Sequence, residues 1–277
     1  MPFSNYQNGF PNGVTIRGVP VLNTYAGKIF YVSSVVGSDG NNGTYLSPYA
    51  TLDYAIGQCT PKNGDIIFLM PSHNEVVGSA GAITVDVSGV SIIGLGNGAQ
   101  AATFVFENSV SASIVVSASS VTIENVIGLS GINALTNPFN ITGDDFYFDG
   151  VWRDTGTTVE ALRAMLLTGV NRGTINLQYI GQTGGSSCVN AIRLVSSTDI
   201  QINSNFYGLV STAWVQFLTT ACKNINVYGY MYTQGVTNFT RDVVDTVTGS
   251  TWWARFDDGS AAKLLFGGSG GALAALT

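Results

Sequence analysis

Two carboxylates in this 277-residue chain stand where a repeat brings them together. Glu124 closes the run Val121-Thr122-Ile123-Glu124, and Asp149 closes Phe146-Tyr147-Phe148-Asp149, 25 residues later. Stacked on successive strands, the two side chains share one outward column with β-carbons about 5 Å apart. Carboxyl groups about 5–5.5 Å apart are the pair that cleaves a glycosidic bond with retention, one as acid and one as nucleophile. The division of roles requires one pKa to be raised. Asp144, Asp145 and Tyr147 lie nearby in sequence, and Trp152 offers a sugar-stacking face. The same residues also suit two other readings: a solvated acidic patch, or calcium held by Asp144, Asp145 and Asp149. The column neighbours expected from the repeat are Ile93, Gln178, Asn203 and Tyr228, an ordinary strand surface, with no Arg or Lys beside the pair.

Other chemistry is sparse. His73, in Pro71-Ser72-His73-Asn74-Glu75, is the single histidine and reads as a turn residue or, alternatively, a base. Cys59, Cys188 and Cys222 are odd in number and far apart, which suits buried free thiols in a reducing compartment. A catalytic thiol needs a neighbouring imidazole, and only His73 exists. No His/Cys/Asp grouping has zinc spacing, and the run Gly267-Gly268-Ser269-Gly270-Gly271 lacks the Lys-Ser/Thr of a phosphate loop. No cofactor or metal is expected. The formal charge is −6, with 11 Lys and Arg scattered along the chain, so nucleic-acid binding is not expected. No secretory leader or membrane-length apolar run is seen in the sequence.

What must position Glu124 and Asp149 is a repeat. Apolar-polar-apolar cores begin at Val90, Val121, Phe146, Ile175, Ile200 and Ile225, in steps of 31, 25, 29, 25 and 25 residues. Each has a second apolar residue two places on: Ile92, Ile123, Phe148, Leu177, Ile202 and Val227. The residues before the pairs (Gly89, Ser120, Asp145, Thr174, Asp199, Asn224) and between them (Ser91, Thr122, Tyr147, Asn176, Gln201, Asn226) are never aliphatic. Alternation of this kind places one column inside and its neighbours outside. A second apolar stretch precedes each core, for example Ile114-Val115-Val116 or Phe139-Ile141, so each coil carries at least two strands and a polar corner. No coil buries its own apolar face; stacking makes one continuous core. Only 10% of residues are charged and 34 are glycine, which suits repeated turns. The reading is an all-β chain: a single-stranded parallel β-helix, with a short N-terminal capping helix.

The expected organisation has four parts. Residues 1–28 form an irregular N-terminal arm, either a flexible terminus or an extended segment that orders on a partner, with Phe3, Tyr6, Phe10 and Val14 among Gly and Asn. Residues 29–78 form a cap: a strand at 28–32, a tight loop at 37–44, a short helix within 47–56 and a strand at 64–71. Residues 79–250 form the β-helix. Residues 251–277, with Trp252-Trp253 and Phe256, form a C-terminal cap or oligomer contact.

The cap carries a family resemblance. Phe30-Tyr31-Val32, Gly37-Ser38-Asp39-Gly40-Asn41-Asn42-Gly43-Thr44, Pro48-Tyr49-Ala50-Thr51-Leu52 and Gly64-Asp65 resemble the opening motif of the pectate-lyase-like right-handed β-helix superfamily. Bacteriophage tailspikes and other virion β-helix proteins share that motif. The resemblance implies a right-handed coil and says little of activity, because the fold hosts lyases, hydrolases, adhesins and virion parts. Polygalacturonase-type Asn-Thr-Asp and Gly-His-Gly motifs are missing. The function expected is a phage structural protein, a capsid-associated decoration or fibre protein. It would be homotrimeric, assembled in the host cytoplasm, and bound to the major capsid protein or another virion protein through the arm. The alternatives are a tailspike-like polysaccharide depolymerase using Glu124 and Asp149, and a non-catalytic adhesin for host glycans.

Overall fold

A computed structural model describes residues 27–182, 188–211, 214–218 and 222–232, together with short strands nearer the termini. Its body is a parallel β-solenoid. One sheet stacks the longer strands β3 (Ile29–Val32), β4 (Ile66–Leu69), β7 (Ser91–Gly94), β10 (Thr122–Ser130), β12 (Phe146–Arg153), β14 (Asn171–Ile180), β16 (Thr198–Tyr207) and β18 (Lys223–Tyr232). The second stacks β6 (Ile83–Val85), β9 (Ile114–Val116), β11 (Phe139–Ile141), β13 (Met165–Thr168), β15 (Ile192–Val195), β17 (Val215–Leu218) and β19 (Val243–Asp245). Two further strands, β5 (Asn74–Val77) and β8 (Ala102–Phe106), pair with each other, and β8 extends the ladder beside the second half of β10.

Alternation does the work the sequence promised. Along β12 the even-numbered residues Phe146, Phe148, Gly150 and Trp152 are buried, while Asp149 and Arg153 are exposed. The buried columns fuse into one core running from Phe30 to Val227. Its middle is aromatic: Phe139 packs edge-on against Phe106, Phe148 and Trp152, with ring centroids 5.5, 5.2 and 6.2 Å apart. Each coil enters the long sheet through a left-handed residue. Gly89, Ser120, Asp145, Arg172, Asp199 and Asn224 all have φ between 53° and 76°. The column is the polar corner expected from the repeat, with one correction.

The correction concerns register. Phe146 and Phe148 pair with Gly173 and Ile175, and Gly173 and Ile175 pair with Ile200 and Ile202. The fourth rung therefore begins at Gly173 rather than Ile175, its corner residue is Arg172 rather than Thr174, and Leu177 stands beside Ser204 rather than Ile202. At Gly173 the end of Ile200 from the next coil already takes up the inward space: a β-carbon there would lie 3.2 Å from the Ile200 Cδ1. The slip of two residues preserves which face each side chain takes.

The first coil is closed as the sequence suggested. The helix α1 (Leu52–Gly57) buries Leu52, Ala55 and Ile56. The preceding loop covers the outer edge of β3, with Tyr31 N donating to Gly43 O (2.8 Å) and Tyr49 N donating to Tyr31 O (2.9 Å). Asp39 fixes that loop by accepting from Ala50 N, Thr51 N and Thr51 Oγ1 at 2.9–3.0 Å. Most of the expected arm lies outside the described residues, apart from an antiparallel pair of β1 (Val14–Ile16) and β2 (Val19–Val21). Beyond residue 250 pairing turns antiparallel, in β20 (Thr251–Asp257), β21 (Ala262–Gly268) and β22 (Ala274–Ala275).

Candidate functional site

Glu124 and Asp149 are register partners on β10 and β12, as the repeat required. Their further neighbours are Ile93, Asn176, Asn203 and Tyr228; Asn176 takes the place expected for Gln178 because of the register slip. A bulge follows Glu124 at once. Asn125 adopts a left-handed backbone (φ 53°), and its Nδ2 donates to Gly94 O (2.7 Å) and Gly96 O (3.0 Å). These bonds hold the segment around the short 3₁₀ turn Gly98–Gln100 against the sheet. That turn forms one wall of an open groove of about 570 Å³.

The floor of the groove spans four coils. Asn125, Asp149, Val151, Arg153, Asn176, Gln178, Asn203 and Asn205 line it, with Gly98, Ala99 and Ala101 on the wall. Asp149 lines it and Glu124 does not. The carboxamides are tied coil to coil: Asn203 Nδ2 donates to Asn176 Oδ1 (3.1 Å), and Asn176 Nδ2 donates to Tyr147 Oη (3.0 Å). Such a floor offers donors and acceptors side by side without net charge. Arg153 lines the same groove, sharing the parity of Asp149 but four residues, about 13 Å, further along β12, and that signal was present in the sequence.

Trp152 offers no stacking face. It points inward, fully buried, and its Nε1 donates to Asp154 Oδ1 at 3.0 Å. The calcium reading also fails on geometry. Asp144 Oδ1 accepts from Asn171 N and Nδ2 at 2.8 and 3.1 Å, Asp145 forms a two-bond ion pair with Arg172 at 2.6 and 2.9 Å, and Asp149 faces the groove instead. Among the described residues no group of acidic, His or Cys side chains has metal-site geometry.

His73 is buried in the cap. Its Nδ1 accepts from Ser34 N (3.0 Å), which leaves the proton on Nε2 to donate to Glu75 Oε2 (3.1 Å). Glu75 Oε2 also accepts from Leu52 N (3.0 Å) at the start of α1. The imidazole thus ties turn, strand and helix together, and the backbone beside it meets the end of the groove wall, with Ser72 N donating to Gln100 O (2.8 Å) and Thr103 N to His73 O (2.9 Å). The three cysteines are unbonded to one another: Cys188 and Cys222 are buried and Cys59 half-buried. Burial raises the thiol pKa of Cys59 to about 12 and that of Cys188 further, so neither supplies a thiolate.

One cluster escaped the sequence reading. Asp154 is buried and accepts from Trp152 Nε1, Ala161 N and the Tyr179 hydroxyl, with Glu160 and Cys188 close by. Burial raises its pKa above 3.8, against the pull of these bonds, and Glu160 raises it further. These residues sit on the far side of the long sheet from the groove and knit two coils at the turn that follows β12.

The architecture defines a parallel β-solenoid protein. Among solved structures it is similar to a rhamnogalacturonan lyase, at 15% identity with a TM-score of 0.52, covering 75% of this chain and 69% of that one. A second likeness, to ORF18 of Geobacillus virus E2, has 11% identity and a TM-score of 0.27, covering 87% of this chain and 66% of that one. The first is a likeness of fold, and the second is too loose to carry more. No protein-family profile and no curated protein sequence matches the chain.

Proposed function

We propose that this chain is a structural protein of a bacteriophage particle, a decoration or fibre subunit of the pectate-lyase-like β-helix superfamily. In this reading its long-sheet groove holds a surface glycan without cleaving it. The observation that carries the glycan part is the carboxamide floor formed by Asn125, Asn176, Gln178, Asn203 and Asn205, flanked by Asp149 and Arg153. Carboxamides match vicinal sugar hydroxyls in both hydrogen-bonding senses, and an open groove across four coils suits an extended oligosaccharide. The virion part is supported by the opening motif of the cap, Pro48-Tyr49-Ala50-Thr51-Leu52 above all.

A glycan array followed by titration calorimetry tests the groove. Asn203→Ala is expected to weaken the best glycan about tenfold, the usual effect of one lost buried hydrogen bond. Glycan binding that survives Asn203→Ala and Asn176→Ala unchanged would remove the groove from the proposal. Sedimentation with capsid shells tests the virion part: the full chain should co-sediment and a chain lacking residues 2–27 should not. Light scattering of the full chain tests the trimer.

The register of Glu124 on Asp149 favours a second reading, a depolymerase. Reducing-sugar release from host capsule, lost in both Glu124→Gln and Asp149→Asn, would replace the non-catalytic reading.

A further inference from the structure

The outer face of the long sheet changes character along the solenoid. Over the first rungs its outward columns are apolar: Ile29 on β3 pairs with Ile66 on β4, and Tyr31 pairs with Phe68 and then Ile93 on β7. Ile29 is 45% exposed, and the other four are half-buried. The cap loop widens the patch, with Tyr45 edge-on to Tyr31 at a centroid distance of 5.4 Å. From β10 onward the same columns turn polar, through Thr122 and Glu124, then Tyr147 and Asp149. A contiguous apolar patch on an otherwise polar sheet marks a surface that another element covers.

The chain carries an element of matching shape. Between β1 and β2, Val14 pairs with Val21 and Ile16 with Val19, while Thr15 pairs with Pro20. Residues directly opposite in an antiparallel pair share a face, so one face of the hairpin holds four aliphatic residues and the other holds Thr15 and Pro20. Two strands of three residues each are not stable alone and need a surface to pack on. Residues 22–28 link Val21 to Ile29 and span at most about 26 Å, which keeps the hairpin beside the first coil. The edge of β3 is closed to it, because Tyr31 already bonds through its backbone to Gly43 and Tyr49. The outer face that starts at Ile29 is the apolar sheet surface within its reach.

We propose that the β1–β2 hairpin folds back over the first three rungs of its own chain, aliphatic face inward, and covers Ile29, Tyr31, Ile66, Phe68 and Ile93. A ribbon of two strands about 5 Å apart and about 10 Å long matches a patch three strands wide. The hairpin then seals these coils from the side, as α1 seals them from the end. The docking neither needs nor excludes the virion and glycan readings.

Hydrogen exchange of the full chain, followed by mass spectrometry over residues 14–21, tests this. In the parent these amides should exchange at least about tenfold more slowly than unstructured chain. Phe68→Asn puts into the column the residue type that stands at Asn176 and Asn203, so the sheet should hold while the hairpin loses its protection. Ile16→Asn, which lies outside the solenoid, should have the same effect and carries the test if Phe68→Asn does not fold. The double variant should exchange no faster than either single one, because both remove the same contact. Protection should not change on dilution. A chain lacking residues 2–21 should bind a hydrophobic dye that the full chain does not. An unprotected hairpin in the parent would overturn the proposal, and so would protection that survives both Asn variants. Protection lost on dilution would also overturn it, by assigning the patch to a second copy of the chain.

Discussion

Replacing Asp154 separates a carboxylate that organises the core from one that merely tolerates burial. Asp154→Ala removes the acceptor for three buried donors, Trp152 Nε1, Ala161 N and the Tyr179 hydroxyl. Each orphaned donor costs about 1–3 kcal/mol, and removing a desolvated charge returns a few kcal/mol, so the net loss at pH 7 is about 2–5 kcal/mol. Asp154→Asn keeps the oxygen that serves Trp152 and Ala161. Its amide nitrogen then donates to the Tyr179 oxygen, whose proton can turn to Cys188 Sγ, 3.0 Å away. The Asn variant should stay within about 1 kcal/mol of the parent at pH 7. The pH dependence has a definite sign. Burial raises the folded pKa of Asp154 above 3.8, so its favourable contribution is complete below 3.8 and is lost as pH rises through the folded value. The penalty of Asp154→Ala should therefore shrink on going from pH 4 to pH 8. Urea unfolding of parent, Asn and Ala chains at several pH values reads all three quantities. Equal losses for Asn and Ala, or an Ala penalty that grows with pH, would refute the reasoning.

Three further outcomes are expected. Asp65 behaves oppositely: burial pushes its carboxyl up, but bonds from Lys28 N, Thr60 N and Asn63 Nδ2 outweigh burial and hold it below 3.8. Its contribution is present above 3.8 and lost as pH falls through the folded value, so Asp65→Ala should cost about 2–4 kcal/mol near neutrality and less in acid, measured by urea unfolding. His73→Ala should cost about 2–4 kcal/mol, since Ser34 N loses its acceptor and Glu75 a donor, and hydrogen exchange should show α1 opening before the long sheet. Gly94→Ala should cost about 2–4 kcal/mol in thermal or urea unfolding, because its β-carbon would fall 2.1 Å from Asn125 O, and it should weaken ligand binding by shifting the groove wall.

The columns of the long sheet were legible because alternation and stacking are local rules. Glu124 over Asp149 followed from spacing alone. The fourth rung was misread because an apolar count cannot see Gly173, whose inward place is filled by neighbours from other coils. Trp152 was read as a stacking surface although its parity with Phe148 turns it inward, and Arg153 was overlooked although its parity with Asp149 turns it outward. The Asp154 cluster was invisible for a different reason. Asp154 and Tyr179 are 25 residues apart and meet only because the turn after β12 folds the carboxylate into the core. Turn paths depend on bonds such as Ser130 Oγ to Val159 O (2.6 Å), which no periodicity encodes.

The column of left-handed corners bears on how such a chain can change. From Ser120, Asp145, Arg172 and Asp199 the chain reaches its first inward residue in one step and its second in three, whatever the length of the coil behind it. Coils of 25 and 27 residues therefore re-enter the long sheet in the same phase. A segment cut from one corner to the next, such as residues 145–171, is a cassette whose two ends are interchangeable. Duplicating or deleting such a cassette would lengthen or shorten the rod while leaving every remaining rung aligned. The loops inside each cassette are then free to diverge, so length and surface specificity can evolve separately on one frame.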